Sequence, residues 1–151
     1  KLAIDELKVK YGVSENELIQ LAKQPASKEI LIPVSVFETK NLSALETVCK
    51  YLKEDLDFGY SKIASLLNSD NRTIWTTYKN TLSKRKEKLL IKYSKFHIPI
   101  SILANRKLSV LESIVSYLKD NFNLRYSEIS ALLNRDERNI WAVYNRWKKK
   151  K

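Results

Sequence analysis

The sequence of 151 residues is poor in the residues that make tight turns, with 2 Gly and 3 Pro. Sheet-rich folds need such residues at their hairpins, so this scarcity favours helices. Cys49 is the single cysteine, which excludes an intrachain disulfide framework. A reducing compartment follows as the simpler expectation, hence an intracellular location, cytoplasmic or nucleoid-associated. One Cys and one His (His97) fall short of the usual ligand count of a zinc site, and no cofactor is expected. No stretch approaches the roughly 18 apolar residues of a membrane span, and no secretory signal pattern opens the chain. Met is absent, so Lys1 is not an initiator and the chain is read as open to being a piece of something longer.

Catalytic signatures are missing too. There is no phosphate-cradling Gly-rich loop, no Ser-His-Asp set and no acidic cluster that reads as a metal site. The acids Glu46, Asp70, Glu112 and Asp136 fall at helix caps and ends, where structure alone accounts for them. No enzyme activity is expected within these residues.

What is present is apolar material for a packed fold, 44% of residues, and a net charge of +11. A basic balance points to a polyanionic partner, nucleic acid first and anionic membrane second. The charge is uneven. Residues 1–31 are net 0 and residues 32–78 net −1, whereas residues 79–97 and 98–151 are each net +6.

A shift of 66 residues superposes the sequence on itself. Ile32-Pro33 returns as Ile98-Pro99, Leu42-Ser43 as Leu108-Ser109, Tyr60-Ser61 as Tyr126-Ser127, and Ile74-Trp75 as Ile140-Trp141. Between residues 32–85 and 98–151, 22 of 54 aligned positions are identical without a gap. Two copies are too few for a solenoid, so two similar modules in tandem are expected.

Each module reads as three helices. Ser43 with Glu46 and Ser109 with Glu112 form S-x-x-E capping boxes. Apolar residues follow at helical spacing: Leu45, Val48, Cys49, Leu52, and Leu111, Ile114, Val115, Leu118. A short second helix spans Tyr60–Leu67 or Tyr126–Leu133. After a break at Asn68-Ser69 or Asn134-Arg135, Asp70 or Asp136 is placed to cap a third helix that begins near Asn71 or Glu137.

A capped helix, a short Y-S-x-I-x-x-L-L helix, a brief turn and a longer helix running into basic residues resembles a helix-turn-helix. The likeness covers roughly 42–85 and 108–151 and is nearest to the promoter-reading domain of sigma factors and its LuxR-type relatives. It implies a DNA-binding protein whose third helices enter the major groove. Trp75 and Trp141 depart from that pattern, since many relatives carry a polar residue after the buried Ile.

With Ile74 and Tyr78 inward, the opposite stripe of the first reading helix is Arg72, Thr76, Lys79, Asn80 and Ser83. In the second it is Arg138, Ala142, Asn145, Arg146 and Lys149. The base-reading candidates are Arg72, Thr73, Thr76 and Asn80, with Arg138, Asn139, Asn145 and Arg146. Arg pairs bidentately with guanine and Asn with adenine. The phosphate candidates are Lys79, Lys84, Arg85, Lys86 and Lys88, with Arg135, Lys148, Lys149, Lys150 and Lys151. Trp75, Trp141, Tyr78 and Tyr144 are expected in the core, with a base-stacking platform as the rival reading. Cys49 aligns with Val115 and is expected to be a small buried hydrophobe.

The fold expected is all-α: two tandem trihelical helix-turn-helix modules behind a helical N-terminal extension. Residues 1–30 form the extension, 31–85 the first module, 86–97 a basic linker and 98–151 the second module with its tail. In the extension, Leu2–Tyr11 and Ser14–Lys23 read as helices, a possible degenerate helix-turn-helix. Glu15 and Glu17 would repel phosphate there, so a packing role or a protein partner is preferred. The expected ligand is double-stranded DNA and the expected role a sequence-specific transcription regulator. A chromatin or architectural protein and the DNA-recognition region of a transposase or recombinase are the alternatives. A sequence repeat need not create a dyad, so a bipartite, non-palindromic target is expected.

Overall fold

In the computed structural model, residues 29–151 are described, so the expected N-terminal helices and the partner role given to them lie outside the described residues. Each repeat opens on a three-residue strand, β1 (Leu31–Pro33) and β2 (His97–Pro99), which runs into a short 3-10 turn, Val34–Glu38 and Ile100–Ala104. Three helices follow in each repeat. They are α1 (Ala44–Lys50), α2 (Tyr60–Leu66) and α3 (Asn71–Lys84), then α4 (Val110–Phe122), α5 (Tyr126–Leu133) and α6 (Glu137–Lys150). The described residues are thus mostly helical, as expected. No helix among the described residues is long and apolar enough to cross a membrane.

The expected caps are in place. The Ser43 hydroxyl accepts from the Glu46 amide while Glu46 Oε1 accepts from the Ser43 amide at 2.8 Å. Ser109 and Glu112 do the same. Asp70 accepts from the Thr73 amide at 2.7 Å, and Asp136 from the Arg138 amide at 3.0 Å. Each such cap satisfies an amide that the helix leaves unpaired, worth about 1 kcal/mol. With so few glycines, left-handed backbone falls to Asn and Asp, the L-residues that tolerate it best. Asp57 and Asn123 end the first helices at φ 57 and 53, and Asn68 and Asn134 form the turns before α3 and α6 at φ 53 and 52.

The two first helices differ. α4 is regular through Phe122, whereas α1 widens into a π-helical turn over Tyr51–Asp55. This turn coincides with Lys50, which is fully buried and bonds Glu54 Oε2 at 2.9 Å and the Arg85 carbonyl at 3.2 Å. Ser116 takes that place in the second repeat and bonds the Ser113 carbonyl instead. Both repeats keep a tyrosine-to-acid tie between their third and first helices, Tyr78 to Glu54 at 2.7 Å and Tyr144 to Asp120 at 2.8 Å.

The small sheet was not foreseen, and it fixes how the repeats meet. β1 and β2 pair antiparallel with Ile32 opposite Ile98, Leu31 opposite Pro99 and Pro33 opposite His97. Ile32 and Ile98 are equivalent in the 66-residue repeat, so the register maps each repeat onto the other by a local two-fold axis. Flanking bonds obey the same symmetry: the Val34 amide donates to Phe96 O at 3.0 Å, and the Ile100 amide to Ile30 O at 2.9 Å. Packing is reciprocal as well. α5 lies on the Val34–Glu38 turn, α2 on the Ile100–Ala104 turn, and α1 meets α4. One hydrophobic cluster runs through both repeats and includes Ile32, Ile98, Val48, Ile114, Ile74 and Ile140.

The segment between the repeats is tied to this junction. Leu89 is buried, and Ser35 Oγ donates to the Lys92 carbonyl at 2.9 Å.

Ile32→Ala and Ile98→Ala should each lower the unfolding free energy by about 2–5 kcal/mol in urea titration. The double variant should lose clearly less than the sum, because the second truncation enlarges a cavity already open. Strict additivity would show that the two side chains do not share one packing site.

Candidate nucleic-acid interface

α3 and α6 each bury one face against the first two helices of their own repeat. In α3 that face is Ile74 and Thr81, with Thr77 and Tyr78 partly covered; in α6 it is Ile140, Val143 and Tyr144, with Trp147 partly covered. A helix turns about 100° per residue, so positions 72, 75, 76, 79, 80 and 83 form the opposite stripe. Arg72, Thr76, Lys79, Asn80 and Ser83 are all exposed, as is Thr73 at the border. In α6, Arg138, Asn139, Arg146 and Lys149 are exposed, whereas Ala142 and Asn145 are half-buried. Asn145 donates to the Trp141 carbonyl at 2.8 Å, one helical turn back.

The tryptophans correct the sequence reading. Trp75 is 48% and Trp141 56% exposed. Each follows its buried Ile by about 100°, which takes it off the packed face and onto the edge of the exposed stripe. Tyr78 and Tyr144 do pack inward, and burial, together with their bonds to Glu54 and Asp120, pushes their hydroxyls up to about 12. Lys79 Nζ lies 5.5 Å from the Trp75 ring centroid. Around Trp141, a shallow groove of about 510 Å³ is lined by Tyr126, Glu137, Arg138 and Ala142. The signal for these tryptophans was in the repeat. On the exposed stripes Arg and Trp are identical in both copies, while Thr76, Lys79, Asn80 and Ser83 are all replaced, by Ala142, Asn145, Arg146 and Lys149.

Several nominated cations have internal partners. Lys84 Nζ bonds both Glu46 carboxylate oxygens at 2.9 Å, and Lys150 Nζ bonds Glu112 Oε1 at 2.9 Å. Arg146 Nε is 3.6 Å from Glu112 Oε2. The last turn of each third helix is therefore tied to the capping carboxylate of the first. Arg85 is half-buried and donates to the Lys88 carbonyl at 3.1 Å. Arg135 is half-buried between the repeats, its guanidinium 3.5 Å from Leu42 O, beside the Asn134 bond to Glu38 O at 3.0 Å. Lys148 and Lys151 lie over the Tyr144 and Trp147 rings at 5.5 and 5.3 Å. Arg72, Arg138, Lys86, Lys88 and Lys149 are exposed and make no ion pair within 4 Å among the described residues.

A further cationic element escaped the sequence reading. The turn before α6 bonds the segment ahead of α1 in the other repeat, through Asn134 to Glu38 O and Arg135 to Leu42 O. The Asp70 carboxyl is lowered chiefly by its bonds from Thr73 and further by Arg106 of the opposite repeat. Lys40 occupies the equivalent place in the first repeat, and Lys107 is exposed beside Arg106. Only the chain's path across the two-fold brings the Arg106 charge to bear on Asp70, the cap of α3.

Burial works to raise the Glu46 and Glu112 carboxyls, but the Ser43 or Ser109 amide and the Lys84 or Lys150 ammonium outweigh it. Both sit below their ordinary value of 4.5. In the unfolded chain these carboxyls take up protons at higher pH than in the folded one. Their stabilisation is therefore full above 4.5 and lost as the pH falls through the lowered folded value. Glu46→Gln and Glu112→Gln should each flatten the acid limb of stability measured between about pH 7 and pH 3. An acid limb identical to the parent's would sink this account. Compared with known proteins, the chain matches no family model, no curated protein and no solved structure.

Proposed function

We propose that the protein binds double-stranded DNA through α3 and α6, each the reading helix of a helix-turn-helix module, and acts as a sequence-specific transcription regulator. The observation that carries this reading is the pair of third-helix stripes, equivalent under the two-fold, each opening in its first turn on an exposed Arg that makes no ion pair among the described residues. A groove-reading helix needs a buried face to hold it and an opposite face rich in donors. Arg72 and Arg138 supply forked donors for guanine edges, and the exposed Asn80 and Asn139 supply amides for adenine. Trp75 and Trp141 add apolar surface at the stripe's edge, suited to thymine methyls and sugars. Lys86, Lys88, Lys148, Lys149 and Lys151 supply the phosphate contacts that set affinity and register.

Binding to a duplex selected from random sequence should exceed binding to unrelated duplex by at least about 1,000-fold at physiological salt. Near-equal affinity for both would favour an architectural role. Arg72→Ala and Arg138→Ala should each cost about 1–3 kcal/mol and relax preference at one position. Unchanged selection profiles for both variants would remove these residues from base reading.

The tail acts through charge. Replacing Lys148, Lys149 and Lys151 with Gln should weaken binding to all duplexes alike. It should also reduce the slope of log affinity against log salt by about 0.9 for each phosphate no longer neutralised. Lys150→Gln should act first on stability, through Glu112. A salt slope that survives the triple substitution would make the tail a bystander.

A further inference from the structure

We infer that one copy of this chain occupies a whole inverted-repeat site on duplex DNA, its two repeats taking the half-sites that two subunits of a homodimer would otherwise take. The inference rests on the DNA reading above and adds the geometry of the target. Its basis is the strand register. Ile32 pairs with Ile98, its own counterpart in the repeat, and the flanking pairs exchange places across it. That register makes the relation between the repeats a rotation by half a turn. α3 and α6 therefore run in opposite senses about the axis, and the sequences they read must be inverted. B-DNA has local dyads of the same kind, and a two-fold protein matches one of them. Direct repeats would require the two helices to be related by translation along the duplex, which this pairing forbids. The non-palindromic target expected from the tandem repeat gives way on that ground.

Two further observations shape the site. The repeats share one hydrophobic cluster and pack reciprocally, so the separation of the reading helices is fixed by the core. A fixed separation admits one half-site spacing. The reading stripes are also unequal. They share Arg72 with Arg138 and Trp75 with Trp141 but differ at the next positions along the helix. The half-sites should agree at the base pairs met by the shared residues and diverge beside them, giving an imperfect palindrome.

The test uses the full chain. Duplexes enriched from random sequence should carry two inverted half-sites at one spacing, about 10 bp between centres or a multiple of a helical turn. Native mass spectrometry should find one chain per duplex. Tethering through the shared core should make the full site bind at least about 100-fold tighter than an isolated half-site. Inserting about 5 bp, half a turn, should remove that advantage. The variant T73N/T76A/K79N/N80R/S83K, which gives the stripe of α3 the residues of that of α6, should shift the preferred site toward a perfect palindrome of the α6 half-site. Enrichment of direct repeats, two chains on one inverted repeat, or half-site affinity equal to that of the full site would each overturn the inference and leave DNA binding standing. Absence of binding to any duplex would overturn the DNA reading and this inference with it.

Discussion

The short pairing of Leu31–Pro33 with His97–Pro99 governs how everything else is arranged. A strand of three residues contributes little by itself. Here the central pair is two fully buried isoleucines, Ile32 and Ile98, and the pairing directs each repeat's 3-10 turn onto the other's second helix. The apolar residues that a trihelical unit would leave exposed at one end are covered by the opposite unit. Each half therefore depends on the other for part of its core. The mutual orientation of the third helices follows from this packing and owes little to the linker's length.

A second layer of ties holds each third helix to its own repeat. The capping glutamate of the first helix accepts from its serine amide and also from a lysine 38 residues downstream, in both copies. The tyrosine bonds to Glu54 and Asp120 fasten the middle of the same helices. Part of the basic charge that looks available for phosphate is thus engaged inside the fold. The exposed remainder clusters on the outer stripes, in the segment after α3, in the tail, and in the turns carrying Lys40 and Arg106.

Much of this was legible in the sequence. The capping boxes, the Asp caps and the third-helix starts fall where the residues place them, because each depends on a few adjacent side chains. The burial of Cys49 was read from Val115 in the other copy. The two-fold was not legible, because a three-residue pairing between segments 66 positions apart leaves no local pattern. The tryptophans were misplaced for a different reason. Hydrophobicity argues for burial, but the packed face of α3 is filled by Ile74, Thr77, Tyr78 and Thr81, and no room is left for position 75. Lys84 and Lys150 read as tail charge because their partners lie far upstream. Their retention in both copies, together with Glu46 and Glu112, was the available hint.

Carrying both halves of a two-fold on one chain has a consequence for how the molecule behaves when scarce. Two separate subunits part on dilution, and their joint action fades with the square of their concentration. Repeats joined by a covalent path and a common core face no such loss, so the paired surface persists at the level of a single molecule. The joined halves are also free of the rule that a change in one subunit appears in both. Lys50 against Ser116, and the π-helical turn beside it, show that freedom already used in the core.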